Sequence, residues 1–195
     1  SLQPNDIDSH LYPAITGGDG NCLPRCGSLL AFGSEDHHVE IRLRLVVELA
    51  LNAAFYLDKE NICAGLDDIR HTQNLCSISF AEYSDQYVPS RRLTLSVAEE
   101  IYWKEVVSIT EQGSFMGIWQ LWALASVLNT KINSVYPQLG TVSLRRDLHR
   151  QLLPRIPTDG VVAIMWTSTR NDMTQSWWMP NHFVPLLPMK KRDMQ

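Results

Sequence analysis

The run Gly18-Asp19-Gly20-Asn21-Cys22-Leu23 sets one cysteine directly after a tight turn and at the mouth of an apolar segment. A thiol at a helix start sits at the positive end of the helix dipole. Free N–H groups there favour the thiolate, so a lowered pKa and a nucleophile are expected. The same N–H groups can stabilise an oxyanion on an attacked carbonyl. An imidazole that could take the thiol proton lies far along the chain, in Asn181-His182-Phe183-Val184-Pro185-Leu186.

A nucleophilic cysteine early and a histidine late is the order of a papain-like thiol hydrolase. Most free cysteines are small buried hydrophobes. Cys22 differs in its Gly-Asp-Gly-Asn lead-in, which a structural cysteine does not need. Cys26, Cys63 and Cys76 lack it. Cys26 stands one helical turn beyond Cys22 and reads as a packing residue behind it. There is no Cys-x-x-Cys, and His37, His38 and His71 match no common finger spacing. No metal and no cofactor are expected. A chain of this length buries a core without disulfides.

With 195 residues the chain reads as a single domain over 1–195, with a core over about 14–188 and extended ends. A net charge of −4 argues against a general nucleic-acid binder. The one basic cluster, Lys190-Lys191-Arg192, reads as a solvated tail. No apolar run reaches the roughly 18 residues that span a bilayer, and no signal peptide is visible. The abrupt opening on Ser1 reads as an excised domain. The expectation is an intracellular monomer, cytoplasmic or nuclear, with reduced thiols.

These side chains need elements to position them. Residues 1–17 read as an extended lead-in and 22–32 as a helix, with Pro24 tolerated in its first turn. Ser34 or Asp36 caps a second helix over about 37–57, whose apolar positions are Val39, Leu43, Val46, Val47, Ala50 and Ala54. Residues 58–94 read as short helices and loops. Helices follow at about 95–110 and 118–128, with Trp119 and Trp122 in the core. Lys131 to Tyr136 alternates as a strand, and Val161 to Thr167 is a central strand buried on both faces. Trp177 to Leu187 reads as its antiparallel partner.

Three segments together resemble one family. Asp19-Gly20-Asn21-Cys22-Leu23 resembles the nucleophile motif of the ovarian-tumour (OTU) cysteine proteases. Gly117-Ile118-Trp119 through Ala125, followed by Ile132 to Tyr136, looks like their helix–strand pair, and Asn181-His182-Phe183 resembles their histidine strand. Within the family, Cys22-Leu23-Pro24-Arg25-Cys26 and His37-His38-Val39-Glu40-Ile41-Arg42 look most like the vertnin-type branch. The resemblance implies an α+β, papain-like fold with a small, mostly antiparallel sheet packed between helices. It implies a deubiquitinase cutting the isopeptide bond after the Gly-Gly terminus of ubiquitin, with ubiquitin and polyubiquitin chains as partners. By carry-over Cys22 is the nucleophile and His182 the general base and later acid. The loop Asp19, Gly20, Asn21, with the amide of Cys22, would form the oxyanion hole. The branch implies a preference for chains joined through the first lysine of ubiquitin.

The chain departs from the pattern at two places. Pro24 stands where the family has Phe. Val184 stands two residues after the histidine, where the family often places Asp or Asn, and it cannot orient an imidazole. Asn171 and Asp172 lie about ten residues before His182, roughly 33 Å along an extended strand, so neither reaches the ring unless the loop folds back. Asn181 adjoins the histidine but points to the other face of a regular strand. Asp6 and Asp8, before the cysteine, are further candidates for the third member; Asp19 reads as the holder of the oxyanion loop. An unaided Cys/His dyad is the remaining arrangement. Trp177 and Trp178 read either as packing or as walls of a channel admitting only Gly-Gly, with acids nearby for the arginines of the ubiquitin tail. The competing function is a weak or inactive relative that binds ubiquitin or another protein. A third is a thiol acyltransferase or a protease for another tag.

Overall fold

The tight turn before Cys22 is built on Gly20, whose φ of +78° suits glycine, and it releases the chain into the helix α1, Cys22–Phe32. Gly33 closes α1 in the left-handed conformation, its N–H donating to the Leu29 carbonyl. In this computed structural model residue 4 and residues 10–64, 77–170 and 178–188 are described.

A short strand, β1 (Leu11–Pro13), comes before α1, where the sequence suggested only an extended lead-in. Then follow α2 (His38–Leu51), α3 (Ala53–Leu57), α4 (Lys59–Cys63) and α5 (Ser77–Glu82). The predicted helix over 37–57 is therefore two, broken at Asn52. Neither Ser34 nor Asp36 caps α2: Ser34 bonds Asp36, and the His37 N–H is taken by Ser28 Oγ at 3.1 Å. The second half holds α6 (Leu95–Ser108), capped by Thr94, and α7 (Ile118–Leu128), which ends on left-handed Asn129. It continues through β2 (Lys131–Val135), α8 (Val142–Leu148), β3 (Arg150–Leu152), β4 (Val161–Thr167) and β5 (His182–Pro188).

The five strands form one sheet in the order β1-β5-β4-β2-β3. The pairs β1–β5, β5–β4 and β2–β3 are antiparallel, and β4–β2 is parallel. The continuous apolar run of β4 thus occupies the centre, as two-sided burial requires. The register pairs Thr167 with His182 and Trp166 with Phe183.

One face of the sheet, through Ile132, Ile164, Trp166 and Phe183, joins the helices in the main core. Trp119 and Trp122 are buried there, meeting Tyr102, Tyr56 and Phe80 edge-on. On the other face Val135, Ala163, Met165, Val184 and Leu186 form a second, smaller cluster with Leu11. α1 lies against β5 and α2, which brings the head of α1 to the start of β5.

α2 corrects the periodicity reading. Val39, Leu43, Val47, Ala50 and Ala54 are exposed, and the buried stripe is Ile41, Leu45 and Leu49 with Arg42. Two apolar stripes compete on this helix. Arg42 decides between them, because its guanidinium faces inward to meet the carbonyls beneath the turn before Cys22.

Candidate active site

Cys22 is the first residue of α1 and is 3% exposed. Its sulfur lies against backbone N–H groups: that of Phe183 on β5 and those of Leu23 and Cys22 itself. These donors favour the thiolate, yet burial dominates and pushes the thiol pKa up, with the nearby Asp19 carboxylate acting in the same direction. The lowered pKa expected from the sequence is therefore not found. The helix terminus supplies donors, but desolvation outweighs them.

Arg42 supports the turn from below. Its Nη2 donates to the Gly20 carbonyl, the Asn21 Oδ1 and the Ser114 carbonyl, each at 3.0 Å. Its Nη1 donates to the carbonyls of Ile109 and Glu111 at 3.0 Å. Asn21 is an internal strut, 3% exposed, its Oδ1 also accepting from the Gly113 N–H at 3.3 Å. Gly20 sits so close to this second loop that a Cβ on it would stand 1.7 Å from the Gly113 carbonyl oxygen.

Asp19 holds the loop from outside, as its position suggested. Its Oδ1 accepts the Asn21 N–H at 3.1 Å, and Oδ2 meets Arg25 at 2.8 Å. Arg25 also reaches Glu35 at 2.7 Å and holds the Asp19 carboxyl well below the usual carboxylate range. The Asn21 amide is thus spent on Asp19, which leaves the amides of Gly20 and Cys22 as the oxyanion donors this loop can offer. Arg25 and Arg42 were not singled out as site residues from the sequence. Their spacing from Cys22 is visible there, but the carbonyls they meet are not.

His182 opens β5 and is 8% exposed. Its backbone carbonyl accepts from Thr167 Oγ1, and its ring Nε2 lies 3.1 Å from Thr16 Oγ1. The same Thr16 hydroxyl donates to the Phe183 carbonyl at 2.7 Å. Burial pushes the His182 pKa below its ordinary value, opposed by a hydrogen bond to the Thr16 backbone and by the charge of Glu35. Among the described residues the ring's hydrogen-bond partner is Thr16 and not Cys22, whose sulfur meets the N–H of the next residue along the strand.

The named third-member candidates divide. Asn181 is ruled out: its Oδ1 accepts the Thr169 N–H at 2.9 Å and its Nδ2 donates to Thr169 Oγ1 at 3.0 Å. Asp6, Asp8, Asn171 and Asp172 lie outside the described residues, as do Cys76, His71 and Trp177. Val184 is buried in the small apolar cluster. Cys26 is fully buried behind Cys22, and burial raises its thiol pKa. Thr16 was missed because a hydroxyl six residues before the cysteine carries no motif; only β1 brings it alongside β5.

Near His182 runs a cleft of about 370 Å³, walled by Phe115, Tyr136, Trp166 and Trp178, with Glu82 and Asp85 also lining it. Phe115 stacks on Phe183 with ring centres 6.0 Å apart, so the cleft begins one residue from His182. Trp178 packs edge-on at 5.3 Å against Tyr136, whose buried hydroxyl has no hydrogen-bond partner among the described residues. Among the described residues no cluster of His, Cys, Asp or Glu is arranged to hold a metal, and no helix is long and apolar enough to cross a membrane.

The chain belongs to the Vertnin OTU-domain family, whose model matches residues 13–167. That span takes in Thr16, Cys22 and the cysteine-side loops. Vertnin of Danio rerio is 30% identical over 190 residues, covering 95% of this chain and 26% of that protein. Vertnin of Mus musculus is 28% identical over 193 residues, covering 98% of this chain and 25% of that protein. The chain thus spans about a quarter of the length of these relatives. Among solved structures, the viral OTU domain protease from Farallon virus matches with a TM-score of 0.48 and 16% identity, over 92% of this chain and 85% of that one. The OTUD1 OTU domain matches with a TM-score of 0.47 and 16% identity, over 91% and 85%. The α+β, OTU-type fold expected from the three motifs is the fold of this protein.

Proposed function

We propose that this domain is a thiol-dependent deubiquitinase that hydrolyses the isopeptide bond after the C-terminal Gly-Gly of ubiquitin. One observation carries the reading: Cys22 at the head of α1 lies against the backbone N–H that directly follows His182. Transfer of the Cys22 proton to the imidazole creates the nucleophile as substrate binds. The sulfur bonds to the isopeptide carbonyl carbon, and the oxyanion is met by the amides of Gly20 and Cys22. The imidazolium gives its proton to the departing lysine amine. Water, deprotonated by the same ring, then adds to the thioester carbonyl; the C–S bond breaks, the ubiquitin carboxylate leaves, and the ring returns its proton to the Cys22 sulfur.

The aromatic cleft suits an extended Gly-Gly tail, with Trp178 as a wall. Glu82 and Asp85 supply charge for its arginines, and the unpartnered Tyr136 hydroxyl suits a backbone group. The proposal extends to polyubiquitin joined through the first lysine, cleaved inside the cell. A ubiquitin probe with an electrophilic C-terminus tests the reaction. Labelling is expected on Cys22 and is lost in Cys22→Ala. Ubiquitin that binds without labelling Cys22 would establish instead a binding module on the same fold. A panel of di-ubiquitins tests the linkage.

A further inference from the structure

We infer that Thr16 is the positioning residue of His182, fixing which ring nitrogen carries the proton and how the ring is turned. The inference rests on reading Cys22 and His182 as a catalytic pair, but its observations do not involve ubiquitin. A threonine hydroxyl has one hydrogen and two lone pairs. Thr16 spends that hydrogen on the Phe183 carbonyl at 2.7 Å. Toward His182 Nε2, at 3.1 Å, it can therefore act only as an acceptor. The ring must then carry its hydrogen on Nε2, which leaves the Nδ1 lone pair as the base for the thiol proton. After that transfer Nε2 still donates to Thr16, so one hydrogen bond serves both protonation states.

Thr16 is itself locked. It is 5% exposed, and β1 registers against β5 just before it, with the Ala14 N–H donating to the Pro185 carbonyl at 2.9 Å. Its hydroxyl contacts with His182 and Phe183 fall on successive residues of β5, which ties ring and strand to one point, and the same side chain meets the Cys26 thiol. Among the described residues around His182 no competitor stands: Asn181, just before β5, is bound to Thr169, and Val184 is apolar and buried. Asp19, the nearest carboxylate in the nucleophile loop, is held by Arg25. A hydroxyl differs from a carboxylate in one respect that matters. It orients the ring without a formal charge, so it selects the tautomer and leaves the imidazolium to distant acids such as Glu35.

The test compares the wild type with Thr16→Val, which keeps the shape and removes the hydroxyl, and Thr16→Ser, which restores it. Nitrogen NMR of His182 reads the tautomer, and peptide mass spectrometry reads the iodoacetamide alkylation rate at Cys22. In the wild type the Nε2–H tautomer is expected. In Thr16→Val a tautomer mixture is expected and alkylation falls about tenfold, the loss of one hydrogen bond's orienting effect. Thr16→Ser returns both readings to the wild-type values. An Nδ1–H tautomer in the wild type overturns the inference even if the valine variant fails to fold. An unchanged tautomer in folded Thr16→Val overturns it too, as does Thr16→Ser behaving like valine. If the ubiquitin probe fails while the tautomer responds as described, the substrate reading falls and the role of Thr16 stands.

Discussion

Arg42 of α2 and Asn21, the residue before Cys22, meet at 3.0 Å beneath the turn that presents that cysteine. Arg42 is 4% exposed, and the partners of its guanidinium are four backbone carbonyls and this one amide oxygen. It is a buried cation neutralised by dipoles, the environment in which a fork of fixed donors is hard to replace.

Arg42→Gln is expected to destabilise the fold by about 3 kcal/mol, because several buried carbonyls lose their donor at once. Arg42→Lys keeps the charge but cannot span both loops, and it should recover less than half of that loss. Chemical denaturation measures both. A glutamine variant within ~0.5 kcal/mol of wild type would show that the turn stands without this strut.

Gly20→Ala adds a methyl group where the Gly113 carbonyl oxygen already lies 1.7 Å from the ideal Cβ position, at a φ of +78°. The loops must part, at a cost of about 2 kcal/mol or more. Thermal melting should show the loss, and Cys22 alkylation should show the displaced nucleophile. Gly18→Ala is the contrast, since nothing lies within 4 Å of its added carbon.

Cys22→Ala removes the nucleophile and little volume, so it should abolish turnover while ubiquitin binding persists. Cys26→Ala, in the fully buried position behind it, should keep substantial turnover and lose stability instead. Equal loss of turnover in the two would mean that the roles within α1 are misassigned.

The pH dependence of turnover follows from two opposite shifts. Burial raises the Cys22 thiol above its ordinary 9.0 and lowers His182 below its ordinary 6.5. The active protonation state therefore holds one proton across the pair from below pH 6.5 to above pH 9.0. The acidic limb comes from protonating the ring and the alkaline limb from losing the thiol proton, the reverse of the assignment for a preformed thiolate–imidazolium pair. Asp19 and Arg42 near the sulfur, and Thr16 and Glu35 near the ring, are the groups whose removal should move the limbs. Stability takes the same sign at His182. Its folded-state pKa is depressed, so its contribution is present above pH 6.5 and is lost as pH falls through the folded value. A rate profile with its acidic midpoint above 6.5 would contradict the shift of the ring.

Local signals carried the nucleophile end of the site. The turn before Cys22, the caps of α1 and α7 and the apolar run of β4 depend on residues adjacent in sequence, and all are where the sequence puts them. The strands 131–136 and 161–167 were legible for the same reason, as was their antiparallel partner, although it begins at His182 and not near Trp177, since residues 178–181 are not strand. What was not legible depends on partners distant in the chain. β1 is too short to show a period and exists because β5 offers it an edge. The inward face of α2 is chosen by Arg42 seeking carbonyls from two loops, so hydrophobic spacing alone selected the wrong stripe. Burial of Cys22 is likewise a property of the packed loops, and it reverses the pKa shift that a helix start alone predicts.

β1 has one further consequence. Only three residues pair with β5, from Leu11 opposite Pro188 to Pro13 opposite Leu186, and they lie just ahead of the boundary at about residue 14 that the motifs suggest. A shortened chain begun there would still contain Cys22 and His182 and would pass any inspection for catalytic residues. It would also have lost the clamp that lays Thr16 along the sheet edge. Silence from such a chain in an activity screen would report on the choice of first residue, not on the chemistry of the family.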